Sequence, residues 1–163
     1  MFRAATISNC NLYRYNITRK WNLEGDNLVS FIGLNPSTAD ASKDDPTLLR
    51  CINFSKSLGF DGMILVNLFA YRSTSPKAMK EFINPIGEEN DAYIIDAIMQ
   101  TNKTILCWGN HGVHKSRDIE IHNLIRTYRE LNFCFGKTLS NQPRHPLYLS
   151  RNTPLERFYL AEL

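Results

Sequence analysis

Residues 28–37 read Leu28-Val29-Ser30-Phe31-Ile32-Gly33-Leu34-Asn35-Pro36-Ser37. A short, mostly apolar run stopped by glycine and proline is the pattern of a strand buried on both faces that ends in a loop. Gly33 permits a sharp exit, and Pro36 fixes the chain so that the amide of Asn35 is held at the strand end. A strand covered on both faces implies helices on both sides of a sheet.

The flanking sequence supplies them. Asp45-Pro46 is an N-cap with proline at the first helical position, and Leu48, Leu49, Ile52 and Leu58 give a helical stripe that stops at Gly59. Gly62 to Val66 is a second buried strand ending at Asn67. Glu88 to Gln100 is an acid-started helix, Thr104 to Trp108 a third strand stopped by Gly109, and Lys115 to Leu131 a further helix with Ile121, Leu124, Ile125 and Tyr128 inward. Phe133-Cys134-Phe135 opens a fourth strand. Upstream, Leu12 to Trp21 alternates loosely, with Tyr13, Tyr15 and Ile17 set against Arg14, Asn16 and Thr18, as an edge strand or hairpin does. The expected fold is therefore α/β: a three-layer α/β/α domain over residues 1–163 with a central, mostly parallel four-stranded sheet and an N-terminal edge strand or hairpin.

Composition agrees with one domain. The chain has 163 residues, of which 43% are hydrophobic and 21% charged, against intrinsic disorder. No apolar run approaches the ~20 residues of a membrane span, and the opening MFRAATISNC lacks the apolar core of an export signal, so a cytoplasmic protein is expected. Cys10, Cys51, Cys107 and Cys134 form no CxxC and fit no zinc or iron–sulfur spacing; reduced thiols are expected. His111 and His114 straddle a Gly-containing turn and with His122 look only superficially like metal ligands, so no metal or other cofactor is expected. The net charge is only +3, but its distribution is uneven. From Asn132 to Leu155 there is no acidic residue, while Lys137, Arg144 and Arg151 are basic, a local patch suited to a phosphate backbone.

In parallel sheets ligands bind beyond the carboxyl ends of the strands. The polar residues expected there are Asn35, Asn67 and Asn110, with His145 after the fourth strand. An asparagine carries one acceptor and two donors, a pattern able to read a nucleobase edge. A histidine fixed by Pro146 can donate to an oxygen gaining negative charge. Tyr148 and Leu149, between Arg144 and Arg151, suit a wedge entering a duplex.

Taken in order, GLNPS, GMILVN, ILCWGN and HPLYLS resemble the four motifs of the uracil-DNA glycosylase superfamily, across about residues 28–151. Within it they look like a bacterial and phage branch with GLNPSTAD, VNLFA, WG and HPLY elements. The resemblance implies a monofunctional DNA N-glycosylase that works on a flipped base, in duplex or single-stranded DNA, with no cofactor and no obligate protein partner. It lays Asn35 on the water-positioning place, Asn67 on the base-reading asparagine, His145 on the residue that stabilises the leaving base, and Leu149 on the intercalating leucine. Ser150 falls in the same final loop as a DNA contact.

The departures from the pattern carry information. Asn35 stands where the most efficient uracil enzymes have an aspartate, so Asp44 or Asp45 is expected to supply the missing carboxylate. Ser37-Thr38-Ala39 lacks the aromatic ring that blocks 5-substituted pyrimidines in uracil-specific relatives. The expected substrate is therefore a 5-modified pyrimidine, such as hydroxymethylated or glucosylated cytosine of phage DNA, with antiphage defence as the role. The alternatives are uracil or mismatch repair, a noncatalytic nucleic-acid-binding module, and hydrolysis of a small nucleoside.

Overall fold

The computed structural model describes residues 1–129 and 131–159. Its strands are β1 (Phe2–Ile7), β2 (Arg14–Lys20), β3 (Leu28–Gly33), β4 (Gly62–Asn67), β5 (Lys103–Leu106), β6 (Phe133–Cys134) and β7 (Glu156–Arg157). Its α-helices are α1 (Pro46–Ser57), α2 (Pro76–Glu81), α3 (Asn90–Gln100) and α4 (Arg117–Ile125), with a 3-10 segment at Asn110–Ser116.

The seven strands form one sheet in the order β1-β2-β4-β3-β5-β6-β7. The joins β4/β3, β3/β5 and β5/β6 are parallel; β1/β2, β2/β4 and β6/β7 are antiparallel. The α/β class holds, whereas a four-stranded, mostly parallel sheet does not: the sheet is mixed and wider. The difference arises at its two ends. Phe2–Ile7, whose apolar residues do not alternate strictly in the sequence, pairs as a hairpin with β2, and the short β7 closes on β6.

Successive residues of the central strands point to opposite faces, and both faces are covered. Phe31, Met63, Leu65 and Ile105 pack with Leu48, Cys51, Ile52 and Phe54 of α1. On the other side Ile32, Ile64, Val66 and Leu106 pack with Ile94, Ala97 and Ile98 of α3 and Ile121 and Ile125 of α4. The Asp45 cap works as the sequence predicts, its carboxylate accepting from Leu48 N at 2.8 Å.

The last predicted helix needs correction at both ends. Lys115 and Ser116 both have φ of 55°, which breaks the chain before Arg117. The helix stops at Ile125, so Tyr128, expected inward, is exposed. Glu130, inside the predicted span, lies outside the described residues. The loop after β4 contains α2, capped by Ser75, whose hydroxyl accepts from Ala78 N at 3.1 Å.

Candidate functional site

Strand register decides which residues meet. Gly33 pairs with Asn67 across β3/β4, and Ile32 with Leu106 across β3/β5. All three strands therefore end at one rim, where Asn35, Asn67 and the segment after Trp108 converge. The loop at 143–149 is tied over this rim, with Gly109 N donating to Pro143 O at 2.8 Å. Gly109 holds φ of 69°, which favours glycine there.

Two cavities share the rim. An inner recess of about 40 Å³ is lined by Asn35, Ser37, Asp45, Asn67, His145 and Arg14 among others. A cleft of about 750 Å³ shares Asn35, Ser37, Asp45 and His145 with it and adds Thr38, Asn110, Arg144, Leu147 and Tyr148. That volume lies within the usual range of ligand pockets.

Each polar side chain of the recess is held by its own local structure. Asn35 Nδ2 donates to the carbonyls of Ser73 (3.0 Å), Pro36 (3.2 Å) and Tyr71 (3.4 Å). Its Oδ1 accepts nothing from the described residues, so the amide presents an oxygen as acceptor. Asn67 is 3% exposed, and its Nδ2 is enclosed with no partner among the described residues. An unmatched buried amide is costly unless something fills it. Its strand end is pinned from α3, where Asn90 Nδ2 donates to Asn67 O (2.9 Å) and Leu68 O (3.0 Å).

His145 Nδ1 accepts from Leu147 N at 3.2 Å, which assigns the ring proton to Nε2 in the neutral form. Loss of water around the ring, walled by the pocket, lowers its pKa, against the opposing charge of Asp45. The residue remains open to the cleft on its other side.

The two candidate aspartates separate. Asp45 is buried at the recess, its oxygens accepting from Leu48 N (2.8 Å) and Ala39 N (3.2 Å). Asp44 points away: it accepts from Arg3 (3.0 and 3.1 Å) and Arg19 Nε (2.9 Å) and lines neither cavity. Asp44 thus leaves the candidate site for an ion-pair cluster that ties the loop to β1 and β2.

The final loop brings a second correction. Leu149 is 8% exposed and packs in the core on the α1 side, so it is not free to leave the surface. Tyr148 is 97% exposed, with φ of 77°, at the mouth of the cleft. The reversal follows from backbone geometry, since the left-handed turn at Tyr148 throws one side chain out and the next in. Ser37 is half-buried in both cavities, and Thr38 is exposed at the outer one. Of the basic residues, Arg144 lines the cleft. Arg151 and Ser150 are exposed beyond it, Ser150 Oγ accepting from Asn152 N at 3.3 Å. Lys137 is exposed, with its ammonium 5.5 Å from the Phe158 ring.

The sequence does not reveal two arginines at this site. Arg14, set on the polar face of an alternating strand, is instead 2% exposed and lines the recess. It reaches the rim because β2 runs antiparallel to β4, so its first residue arrives where β4 ends. Arg50 of α1 donates to Leu149 O, and to Pro146 O at 3.4 Å, clasping the final loop from beneath. Neither belongs to a motif, and only the tertiary pairing exposes them. His111, His114 and His122 stand on separate surroundings, and no three His, Cys, Asp or Glu side chains among the described residues gather to hold a metal ion.

These features define an α/β domain with a polar recess and a wide cleft at the carboxyl ends of its strands. Residues 14–147 match the family described as a protein of unknown function (DUF1643), and the chain belongs to that family. No curated protein and no solved structure matches it.

Proposed function

We propose that the chain is a DNA glycosylase that hydrolyses the N-glycosidic bond of a flipped, 5-modified pyrimidine and leaves an abasic site. The observation that carries this reading is the recess itself. It joins an acceptor, Asn35 Oδ1, an unsatisfied donor, Asn67 Nδ2, and a neutral histidine able to donate through Nε2, all beside an exposed tyrosine and arginine. The motif resemblance points the same way.

A base inside a duplex must be extruded at a cost of a few kcal/mol before its glycosidic bond can be reached. Tyr148 fills the vacated stack while Arg144, with Arg151 and Lys137 further out, holds backbone phosphates. Asn67 donates to the flipped base. Asn35 Oδ1 orients the water that attacks the sugar carbon, and Asp45, the remaining carboxylate, favours the positive charge that develops there. His145 Nε2–H donates to the base as its bond electrons depart. Ser37 and Thr38 leave room, with hydroxyls at hand, for a polar group on the pyrimidine 5-position.

The test is incubation with duplexes and single strands carrying uracil, mismatched thymine, hydroxymethylcytosine or glucosylated cytosine, followed by alkaline cleavage at abasic sites. Breaks at the bulky cytosines, abolished by Asn35→Ala with DNA retardation retained, support the reading. Faster release of uracil makes the protein a repair enzyme. Retardation without breaks makes it a binding module, and activity on free nucleosides alone a small-molecule hydrolase. Ser37→Tyr should exclude the bulky bases and spare uracil.

A further inference from the structure

Arg14 is a buried cation without a matched anion. It is 2% exposed, its Nη1 donates to Ala39 O at 3.0 Å, and its Nε is enclosed with no partner among the described residues. No carboxylate among the described residues forms an ion pair with it. Asp45 is near enough to be felt as a charge, but its oxygens are engaged by Ala39 N and Leu48 N. Burial pulls the guanidinium pKa down only to about 10, so it remains charged at neutral pH. A structural arginine of this kind is normally surrounded by acceptors; Arg19, equally buried in the same strand, meets Asp44 and the carbonyls of Thr18, Asp40, Ala4 and Lys43. Arg14 has one acceptor and lines the same small recess as the unpartnered Asn67 Nδ2. Arg14 and Asn67, each with an enclosed N–H group that has no partner among the described residues, thus both line a cavity too small for a large ligand to fill.

From this we infer that Arg14 is a further catalytic residue, one that stabilises the departing base as an anion held by its acceptor edge at the floor of the recess. The inference rests on the glycosylase reading. In the step concerned, the bond from the sugar carbon to the base nitrogen breaks and its electron pair stays on the base. The water oxygen bonds to the sugar carbon, and the proton that water loses finally neutralises the base. Arg14 and Asn67 hydrogen-bond the base while it carries the negative charge. A charged donor already in place loses nothing to reorganisation when that charge appears.

The experiment uses the full chain with Arg14→Gln and Arg14→Lys, each checked for folding by circular dichroism and thermal melting. Single-turnover release is followed on duplexes bearing 5-substituted pyrimidines graded by the acidity of the free base. Arg14→Gln should lose about 10²-fold or more on the least acidic base and much less on the most acidic. Arg14→Lys should recover part of the loss. A merely structural arginine would cost every substrate alike, so a uniform loss, or none, overturns the assignment. A second arm needs no catalysis: calorimetry in mildly alkaline buffer should show the wild-type chain binding free 5-fluorouracil about tenfold tighter than the less acidic uracil, and Arg14→Gln losing that preference. Equal binding of the two, no binding, or displacement of both by inorganic phosphate overturns it. If anion-selective binding that needs Arg14 is found but no duplex releases a base, the glycosylase reading fails and the Arg14 site stands. If bases are released with unaltered acidity dependence in Arg14→Gln, the glycosylase reading stands and Arg14 is structural.

Discussion

At the scale of single residues, the recess depends on an absence as much as on its side chains. A Cβ built on Gly33 would stand 2.8 Å from Asn67 Oδ1, closer than such atoms approach, and Gly33 has ordinary extended geometry that alanine could otherwise adopt. Gly33→Ala should therefore displace the Asn67 amide while leaving the strand pairing intact. Base discrimination should fall about as far as in Asn67→Ala, with melting temperature within a few degrees of wild type; full discrimination in Gly33→Ala would show that Asn67 does not read the base. A second residue sets a pH limit on stability. His122 is buried against Phe158 with Nδ1 unpartnered among the described residues, and burial, reinforced by Arg126, lowers its pKa to about 4. In the unfolded chain it titrates near 6.5, so between about 6.5 and 4 the unfolded state binds more protons and stability declines as pH falls. The full loss is on the order of 3 kcal/mol. Urea melts of wild type and His122→Gln at neutral and acid pH should show the variant losing less by roughly that amount.

At the scale of elements, the final loop is a short hook with its two apolar residues assigned opposite tasks. Arg50 fixes it from α1 through the carbonyls of Leu149 and Pro146, and Leu149 anchors it in the core. Leu149→Ala should cost about 2–5 kcal/mol of stability by leaving a cavity. Tyr148→Ala, which keeps the Cβ and removes no buried surface, should leave the melting temperature nearly unchanged yet slow release from duplex DNA far more than from single strands. Equal slowing on both substrates would mean that Tyr148 does not hold the duplex open. This loop also marks where the sequence stops being readable. The apolar runs of β3 and β4 and the Asp45-Pro46 cap are local signals, and they were enough to place Asn35 and Asn67 at one rim. Which of Tyr148 and Leu149 faces water is set by one backbone angle, and which of Asp44 and Asp45 faces the recess by two distant arginines, Arg3 and Arg19. Neither leaves a trace in spacing. Arg14 is hidden for the same reason, since its burial requires the antiparallel join of β2 to β4.

At the scale of the whole molecule, a small formal charge of +3 conceals a division of labour among the arginines. Arg14, Arg19 and Arg117 are buried; Arg19 and Arg117 are matched internally, Arg117 by Asp91 and by Glu120 at 2.9 Å, so they are not available to an external polyanion. The cations open to solvent in the stretch with no acidic neighbour in sequence are Arg144, which lines the cleft, and, beyond it, Arg151 and Lys137. Binding of a phosphate backbone should then rest on few contacts and show a shallow salt dependence, since each neutralised phosphate contributes about 0.9 to the slope of log K against log salt on duplex DNA. Arg144→Ala should weaken duplex binding across all sequences and lower that slope by about one, and Arg144→Ala with Arg151→Ala by about two. Neither change touches the recess, so single-turnover release at saturating protein should stay near the wild-type rate. Affinities measured by fluorescence anisotropy over a salt series decide the matter: a slope unmoved by either substitution would put the DNA on another face of the molecule, away from Tyr148 and the recess.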